Sequence, residues 1–316
     1  MKIVVTGALG HIGSKLIRQL PTVCSDVEIL MVDNLSTQRY CSLFDLPNLG
    51  EYAFLEGDVL QLNLESILEK ADCAVHLAAL TDAENSIGRL EEVERVNLGG
   101  TTGIAQACAR LGCPLIFAST TSVYGIQDGV VTEDCAPSQL RAQSPYALVK
   151  LKEESLLHEL GSDAGLRFTI CRFGTICGTS PGMRFHTAVN KFCWQAVMGQ
   201  PLTVWRTALD QKRPYLDLND AVAAICFVIS RRLFANKIYN IVTENLSVRQ
   251  ILHFIRQRVP SIEVELVDSK IMNQLSYEVS NARFNSEGFR FSGGIEDQVC
   301  ETLDLLSLSG VPHSSD

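Results

Sequence analysis

The sequence predicts an α/β fold in which a doubly wound parallel sheet precedes a smaller C-terminal lobe. Apolar strand-like runs alternate with helical periodicity through the first half of the chain, which is typical of β–α–β units covered by helices on both faces. A glycine-spaced turn joins the first predicted strand to the first predicted helix. After residue 174 the alternation gives way to shorter elements, which indicates a second lobe.

The elements of the first half follow in order along the chain. Strands are predicted at 2–6, 28–32, 52–55, 73–77, 114–118 and 167–172. Helices are predicted near 11–20, 60–70, 88–111 and 145–160. Ser144 suits the N-cap of the last of these helices, Pro145 suits its first position, and Gly161 is expected to end it. Gly112 is expected to end the preceding helix in the same way.

The second lobe begins in a stretch, 174–186, that is rich in Gly, Thr, Ser and Pro, and a helix is predicted near 187–199. A later segment is expected to return to the first domain. We therefore assign 1–173 plus 213–243 to the first domain, 174–212 plus 244–306 to the smaller lobe, and the polar residues 307–316 to a flexible tail.

Composition excludes several classes of function. The 316 residues suffice for a large core, and the net charge of −9 argues against nucleic acid as a partner, because phosphate binding needs a basic face. We find neither a signal peptide nor an apolar run of the ~18 residues that span a bilayer, so we expect a cytoplasmic protein with no membrane partner. The eleven cysteines are scattered without metal-ligand spacing, which predicts reduced thiols and no metal site.

Residues Thr6–Gly13 read T-G-x-x-G-x-x-G between a strand and a helix. The glycines allow a tight turn and let backbone amides approach a pyrophosphate, which predicts a Rossmann-type dinucleotide-binding domain. Asp33 follows Gly13 by twenty residues, at the end of the second strand. A carboxylate there binds ribose hydroxyls and repels a 2′-phosphate, so NAD is favoured over NADP. The alternative for Asp33 is a turn residue before Asn34.

Tyr146 and Lys150 are four residues apart, so their side chains share one helix face. A nearby ammonium favours the phenolate and lets a tyrosine act as a base near neutrality. The alternative is a surface Tyr–Lys pair without a catalytic role. The glycine turn upstream favours the catalytic interpretation. The hydroxyl-rich run Ser119–Gly125 follows a predicted parallel strand, whose carboxyl end faces the ligand crevice.

Together these motifs give the chain a resemblance to the extended short-chain dehydrogenase/reductases of the nucleotide-sugar epimerase/dehydratase family. The likeness covers nearly the whole chain. It rests on Thr6–Gly13, Val32–Thr37, Gly57–Val59, His76–Ala79, Asn97, Ser119–Gly125, Tyr146–Lys150 and Arg213–Tyr215.

The resemblance implies a role for each matching residue. Tyr146 would be the catalytic base, Lys150 would hold the nicotinamide ribose, and Thr120 would orient the sugar hydroxyl. The cofactor, NAD, would contact Gly7, Gly10, His11, Ile12, Gly13, Asp33, Asn34, Asp58, Val59, Ala78, Ala79, Asn97, Tyr146, Lys150 and Phe173. The sugar nucleotide, in the cleft between the first domain and the smaller lobe, would contact Thr81, Thr120, Thr121, Ser122, Thr175, Arg184, Asn190 and Arg213.

Two departures from the family pattern narrow the chemistry. Dehydrating members carry an acidic pair where this chain has Thr121 and Ser122, so elimination of water lacks its proton donors. Decarboxylating members carry a glutamate where this chain has Ser122. In the substrate loop, which is a separate difference, Thr175 and Cys177 stand where many members have an asparagine and a tyrosine. The remaining machinery favours C4 epimerisation of a UDP-sugar through a transient 4-keto intermediate. The alternatives are an NAD(P)-dependent keto-sugar reductase and a non-catalytic dinucleotide sensor.

Other assignments stay open from the sequence alone. Arg213 fits either a diphosphate clamp or a surface ion pair, His186 either a proton donor or a solvated loop residue, and Trp205 either the nucleobase or the core. The helices near 88–111 and 145–160 resemble those that form the dimer interface in this family, so a homodimer is expected.

Overall fold

The computed structural model describes residues 1–81, 86, 88–127, 129–268 and 276–307. Most of the expected tail, 308–316, lies outside the described residues. The strands are β1 Lys2–Thr6, β2 Glu28–Asp33, β3 Glu51–Glu56, β4 Cys73–His76, β5 Leu115–Thr120, β6 Val130–Val131, β7 Phe168–Phe173, β8 Thr175–Cys177, β9 Leu202–Trp205, β10 Lys212–Asp217, β11 Lys237–Ile241, β12 Glu244–Ser247, β13 Val264–Val267 and β14 Glu278–Val279. The α-helices are α1 His11–Val23, α2 Leu64–Leu68, α3 Leu90–Val93, α4 Gly99–Leu111, α5 Pro145–Asp163, α6 Ala188–Val197, α7 Leu218–Arg231, α8 Val248–Arg258, α9 Ala282–Ser286 and α10 Ile295–Ser307.

Seven parallel strands form the main sheet in the order β11-β7-β5-β4-β1-β2-β3. The strand order reverses between β1 and β4, and ligands of doubly wound sheets bind at the carboxyl ends of strands at such a reversal. Helices α1 and α7 pack together, and α4 packs with α5. Separate apolar cores form around these two helix pairs, so helices cover both faces. The predicted doubly wound parallel sheet is confirmed.

The smaller lobe contains a three-stranded sheet, β12-β10-β8, and a two-stranded sheet, β13-β9. Helices α6, α8 and α10 pack on one another and enclose a core of their own. Strand β10, where we expected the chain to return to the first domain, pairs with β8 and β12 in this lobe. The following helix α7 packs on α1, and β11 pairs with β7 in the main sheet.

Helix α5 carries the predicted tyrosine and lysine, and its start follows the sequence expectation. The Ser144 hydroxyl accepts a hydrogen bond from the amide of Ala147 at 3.2 Å, and Pro145 is the first helical residue. The expected end at Gly161 is wrong, because the helix continues to Asp163. A Cβ at Gly161 would lie 2.9 Å from the Phe168 ring, so the glycine there permits close packing rather than a helix stop.

No helix among the described residues is long and apolar enough to cross a bilayer. Each of the eleven cysteines is a free thiol, most of them buried. Within the described ranges no three metal-ligating side chains gather into a group that could hold an ion.

Gly112 ends α4 with a left-handed φ of 67° and leads the chain into β5. A Cβ there would meet no atom within 4 Å, so a side chain costs backbone strain alone. We expect Gly112→Ala to lower the free energy of unfolding by about 1 kcal/mol and Gly112→Asn by less, because asparagine tolerates this conformation. Urea unfolding measures both, and an alanine variant as stable as the parent protein would contradict the strain argument.

Candidate functional site

A cleft of about 430 Å³ opens at the carboxyl ends of the central strands. One end is formed by the turn between β1 and α1 together with the end of β2. The other end lies between the start of α5 and the loop that carries Arg184 and His186. The cleft therefore joins the two regions in which the sequence motifs fall.

The glycine turn has no room for side chains. Gly7 has a φ of 67°, and a Cβ on it would lie 2.6 Å from the amide nitrogen of Ala78. A Cβ on Gly13 would lie 2.4 Å from the carbonyl oxygen of Gly7. The bare backbone and the N-terminus of α1 form a cradle that suits an anionic group, because the first helical amides have no partners within the helix. This cradle fits the pyrophosphate of a dinucleotide.

Asp33 ends β2 beside this cradle. Its carboxylate accepts hydrogen bonds from the amides of Leu9 and Leu35, both at 3.0 Å, which fix its orientation. Asn34 donates to Asp58 at 3.4 Å, and both of these residues also line the cleft. An oriented carboxylate at this point suits the ribose hydroxyls of an NAD adenosine.

Most of the predicted cofactor residues line the cleft. They are Gly7, Gly10, His11, Ile12, Gly13, Asp33, Asn34, Asp58, Val59, Ala78, Ala79, Tyr146, Lys150 and Phe173. Asn97 lies outside the cleft lining. Its side-chain oxygen accepts from the Leu80 amide at 2.8 Å, and its amide group donates to the Leu80 carbonyl at 3.0 Å. Asn97 thus fixes the loop after β4.

Tyr146 and Lys150 face the cleft from the first turns of α5. The Lys150 Nζ lies 5.9 Å from the centre of the Tyr146 ring and 4.4 Å from the centre of the Phe117 ring. Burial raises the pKa of Tyr146, and the charge of Glu153 raises it further, whereas Lys150 and Arg184 lower it. The two cations therefore oppose the cost of forming a phenolate in this half-buried place.

Thr120 and Ser122 line the cleft, and Thr121 does not. The Thr120 Oγ1 accepts from the Ser122 amide at 3.1 Å and so caps a short 3₁₀ turn. That turn directs Thr121 inward, where its hydroxyl donates to the Phe173 carbonyl at 3.3 Å and lies 3.4 Å from the Tyr277 hydroxyl. The predicted substrate contact of Thr121 is therefore a structural contact in this structure.

Three predicted substrate residues line the opposite wall. Arg184 donates a hydrogen bond to Thr81, and both lie in the cleft with Thr175. Asn190 lies outside the lining, where it accepts from the Gly178 amide at 3.3 Å and donates to the Arg184 carbonyl at 3.0 Å. Asn190 thus shapes the loop that holds Arg184.

Arg213 on β10 also lies outside the cleft lining. Its Nε and Nη2 atoms are buried and make no hydrogen bond to any described group. The Arg213 charge lowers the pKa values of Tyr215 and Tyr277, although burial raises both more strongly. Buried guanidinium nitrogens need acceptors, and no described group supplies one to these two atoms.

The substrate loop is fastened directly onto the glycine turn. Ser180 donates to the His11 carbonyl at 2.9 Å, and the His11 Nδ1 lies 3.0 Å from the Ser180 Oγ. The amide of Gly182 donates to Ser14 at 2.9 Å, and a Cβ on Gly182 would lie 2.3 Å from the Leu9 carbonyl. Burial is the main reason why the pKa of His11 is lowered to about 3, so His11 is neutral in this contact.

The cleft lining also includes residues for which no sequence motif predicts a role. Ser36, Thr37 and Arg39 line it after β2. The first two belong to Val32–Thr37, a motif that supports the family resemblance without indicating a role for either residue. Ser86 and Arg89 line it after β4. Isolated polar loop residues such as these follow no spacing rule, so only the folded chain brings them to the site.

Below the cleft a buried polar network runs from β1 to α5. The Thr6 Oγ1 lies 2.7 Å from His76 Nδ1, and His76 Nε2 lies 3.2 Å from the Thr101 Oγ1. Thr101 donates to Glu153 at 2.5 Å, and Glu153 lies 3.2 Å from the Lys150 ammonium. The sequence contained one signal for this pair, because a spacing of three residues brings Lys150 and Glu153 onto one helix face.

The network makes stability depend on pH through His76. Burial, followed by the Lys150 charge, lowers the pKa of His76 to about 3. An unfolded histidine titrates near about 6.5, so between these values the unfolded chain binds the extra proton. The contribution of His76 is therefore intact above about pH 6.5 and falls by roughly 1.4 kcal/mol per pH unit below it. Between about pH 7 and pH 5, we expect the free energy of unfolding to fall by about 2 kcal/mol less in His76→Gln than in the parent protein.

Urea unfolding of the two proteins at both pH values measures this difference. Since other groups titrate equally in the two proteins, identical pH dependence in both would show that His76 does not enter the fold as a neutral buried base.

Comparison with known proteins agrees with the geometry of the cleft. The model of the "NAD dependent epimerase/dehydratase family" matches residues 3–242. The uncharacterized UDP-glucose epimerase YtcB of Bacillus subtilis (strain 168) is 31% identical over 250 residues, which is 76% of this chain and 76% of that protein.

Two further proteins show the range of the similarity. A trifunctional Arabidopsis thaliana UDP-glucose 4,6-dehydratase/UDP-4-keto-6-deoxy-D-glucose 3,5-epimerase/UDP-4-keto-L-rhamnose-reductase, RHM2, is 28% identical over 96% of this chain, which spans 46% of that relative. The solved structure of MoeE5 in complex with UDP-glucuronic acid and NAD has a TM-score of 0.83 and 26% identity, and the match covers 98% of this chain and 100% of that one. The chain therefore belongs to the NAD dependent epimerase/dehydratase family, and its cofactor is NAD.

Proposed function

We propose that this protein is an epimerase that inverts C4 of a UDP-sugar through a transient 4-keto sugar. The observation that carries the proposal is the set of side chains at the sugar end of the cleft. Tyr146, Lys150 and Thr120 line it together, and Thr121 and Ser122 stand where a dehydratase needs acids. Among the described residues at this end of the cleft, Tyr146 is the group placed to take the sugar proton, and none is a carboxylic acid.

The chain's own residues divide the work. NAD held in the cleft would supply reversible hydride transfer at the sugar carbon. Tyr146 takes the proton from the sugar hydroxyl and later gives it back. Lys150 favours the phenolate by its charge, and the Thr120 hydroxyl orients the reacting oxygen. The net redox change is zero, because the sugar carbon regains its hydride and the sugar oxygen regains its proton.

The distribution of acidic side chains argues against dehydration. Among the described residues that line the cleft, the acids are Asp33 and Asp58. Asp33 ends β2 and Asp58 follows β3, whereas Tyr146 lies on α5. Elimination of water needs an acid and a base on neighbouring sugar carbons, and hydroxyls such as Ser122 are too weakly acidic for this role.

A nucleotide diphosphate suits the cations on the substrate side. Arg184 lines the cleft, and the buried Nε and Nη2 atoms of Arg213 need acceptors that a phosphate can provide. The relatives named above are named for UDP-sugars, and MoeE5 has been solved with one. We take UDP as the nucleotide on these grounds.

The proposal extends to assembly and location. The outer faces of α3 and α5 expose Leu90 and Leu148, by 39% and 44%, and large exposed leucines on neighbouring helices favour a homodimer through these faces. Free thiols throughout the chain favour the cytoplasm, and the acidic net charge argues against nucleic acid as a partner.

Tyr146→Phe tests the mechanism. We expect the parent protein to interconvert a UDP-sugar pair with catalytic NAD and no net NADH, and the variant to be slower by about a hundredfold or more while it still binds NAD. Proton NMR of the products from a panel of UDP-sugars identifies the inverted carbon. A stoichiometric demand for NADH or NADPH would instead make the protein a keto-sugar reductase. Binding without any turnover, equal in the two proteins, would make it a sensor.

Arg213→Gln tests the diphosphate site. A charge-assisted hydrogen bond contributes about 1.5–3 kcal/mol, so we expect the Kd for UDP to rise roughly ten- to a hundredfold with NAD binding unchanged. Isothermal titration calorimetry measures both constants. Arg249→Gln is the matched control, because Arg249 forms an exposed ion pair with Asp210 in the smaller lobe. An unchanged UDP affinity in Arg213→Gln would remove this arginine from the substrate site.

A further inference from the structure

Glu153 is a buried acid that the proposed reaction leaves without a role. Its side chain is 1% exposed, and its carboxylate oxygens lie 3.2 Å and 3.4 Å from the Lys150 ammonium, which is 3% exposed. A buried charge is costly without a partner, so each of these ions stabilises the other in place. The ammonium also lies against the face of Phe117, where water does not compensate its charge.

The opposite side of the carboxylate is held by the network below the cleft. Thr101 donates to Glu153 at 2.5 Å, and the Thr101 hydroxyl lies 3.2 Å from His76. His76 is tied to Thr6, the residue that precedes the glycine turn. The network therefore fixes the Glu153 carboxylate relative to β1. The ion pair in turn fixes the Lys150 ammonium relative to that carboxylate.

Three charged groups among the described residues act on Tyr146. Lys150 and Arg184 lower its pKa, and Glu153 raises it. His76 is neutral because its pKa is lowered to about 3. The neighbouring acid Glu154 is paired with Arg172, 2.6 Å away on β7, and does not enter the balance at Tyr146.

We propose that Glu153 is a positioning residue for Lys150: its carboxylate holds the ammonium beside Tyr146 and limits how strongly that ammonium favours the phenolate. The inference rests on the proposed role of Tyr146 as the base. It assigns a function to a buried residue that lies outside the cleft lining.

Removing the charge should have two effects of different kinds. In Glu153→Gln the negative charge that opposes the phenolate is lost, and we expect the Lys150 ammonium to keep its charge against the Phe117 ring, so Tyr146 titrates at lower pH. Lys150 at the same time loses its fixed partner, so its hold on the nicotinamide ribose weakens and kcat falls. A merely structural defect lowers kcat without moving the titration of Tyr146, which separates the two explanations.

The test titrates Tyr146 in the NAD-loaded protein. The ultraviolet absorbance of phenolate is followed against pH in each protein, and the same protein with Tyr146→Phe provides the background of the other tyrosines. We expect the midpoint in Glu153→Gln to move to lower pH by on the order of one unit, and kcat to fall roughly tenfold. Because this titration needs no substrate, it stays informative even where no UDP-sugar is turned over, so failure of the proposed function and failure of this inference are distinct.

Two further variants keep the test decisive. Glu154→Gln breaks the other buried ion pair of α5 at similar cost in stability, and we expect the Tyr146 midpoint to stay at its parent value. Glu153→Asp keeps the charge but draws it back by one methylene, and we expect a smaller shift in the same direction. An unmoved midpoint in folded Glu153→Gln, or an equal shift in Glu154→Gln, overturns the proposal. Where Glu153→Gln does not fold, a parent-like midpoint in Glu153→Asp overturns it.

Discussion

The close packing of backbone at the turn between β1 and α1 is the constraint on which the rest of the structure depends. Side chains at Gly7 and Gly13 would lie within 2.6 Å and 2.4 Å of backbone atoms, so the turn exists only where both positions lack a Cβ. This packing sets β1 against the end of β4 and aligns the carboxyl ends of the central strands. It also leaves the first amides of α1 facing a cleft instead of a side chain.

Features that depend on neighbours in the chain could be predicted from the sequence. The strand–turn–helix of Thr6–Gly13, the start of α5 at Ser144 and the shared face of Tyr146 and Lys150 follow from local spacing, and each is present in the structure. The parallel sheet follows as well, because the alternation of elements admits few topologies. The end of α5 was misjudged at Gly161, where tertiary packing against Phe168 explains the glycine.

Features that depend on distant parts of the chain could not be predicted. Asn97, Thr121 and Asn190 are predicted ligand contacts, yet their polar groups bond to backbone or to a buried tyrosine outside the cleft lining. Sequence spacing does not reveal which way a residue points just after the end of a strand. Here a 3₁₀ turn over Thr121–Tyr124 follows β5 and directs the Thr121 side chain away from the cleft. Arg39 belongs to no motif, and the fold alone brings it to the cleft. Glu153 could have been found from its three-residue spacing to Lys150 on α5.

The contact between the substrate loop and the glycine turn couples the binding of the two ligands. Ser180 and Gly182 bond to the same short segment that cradles the pyrophosphate, so the loop cannot be displaced without disturbing that segment. Coupling of this kind is reciprocal in free energy. A sugar nucleotide that binds more tightly to the ordered loop would raise the affinity for the dinucleotide by the same factor, which suits a catalyst that keeps its electron carrier from one turnover to the next.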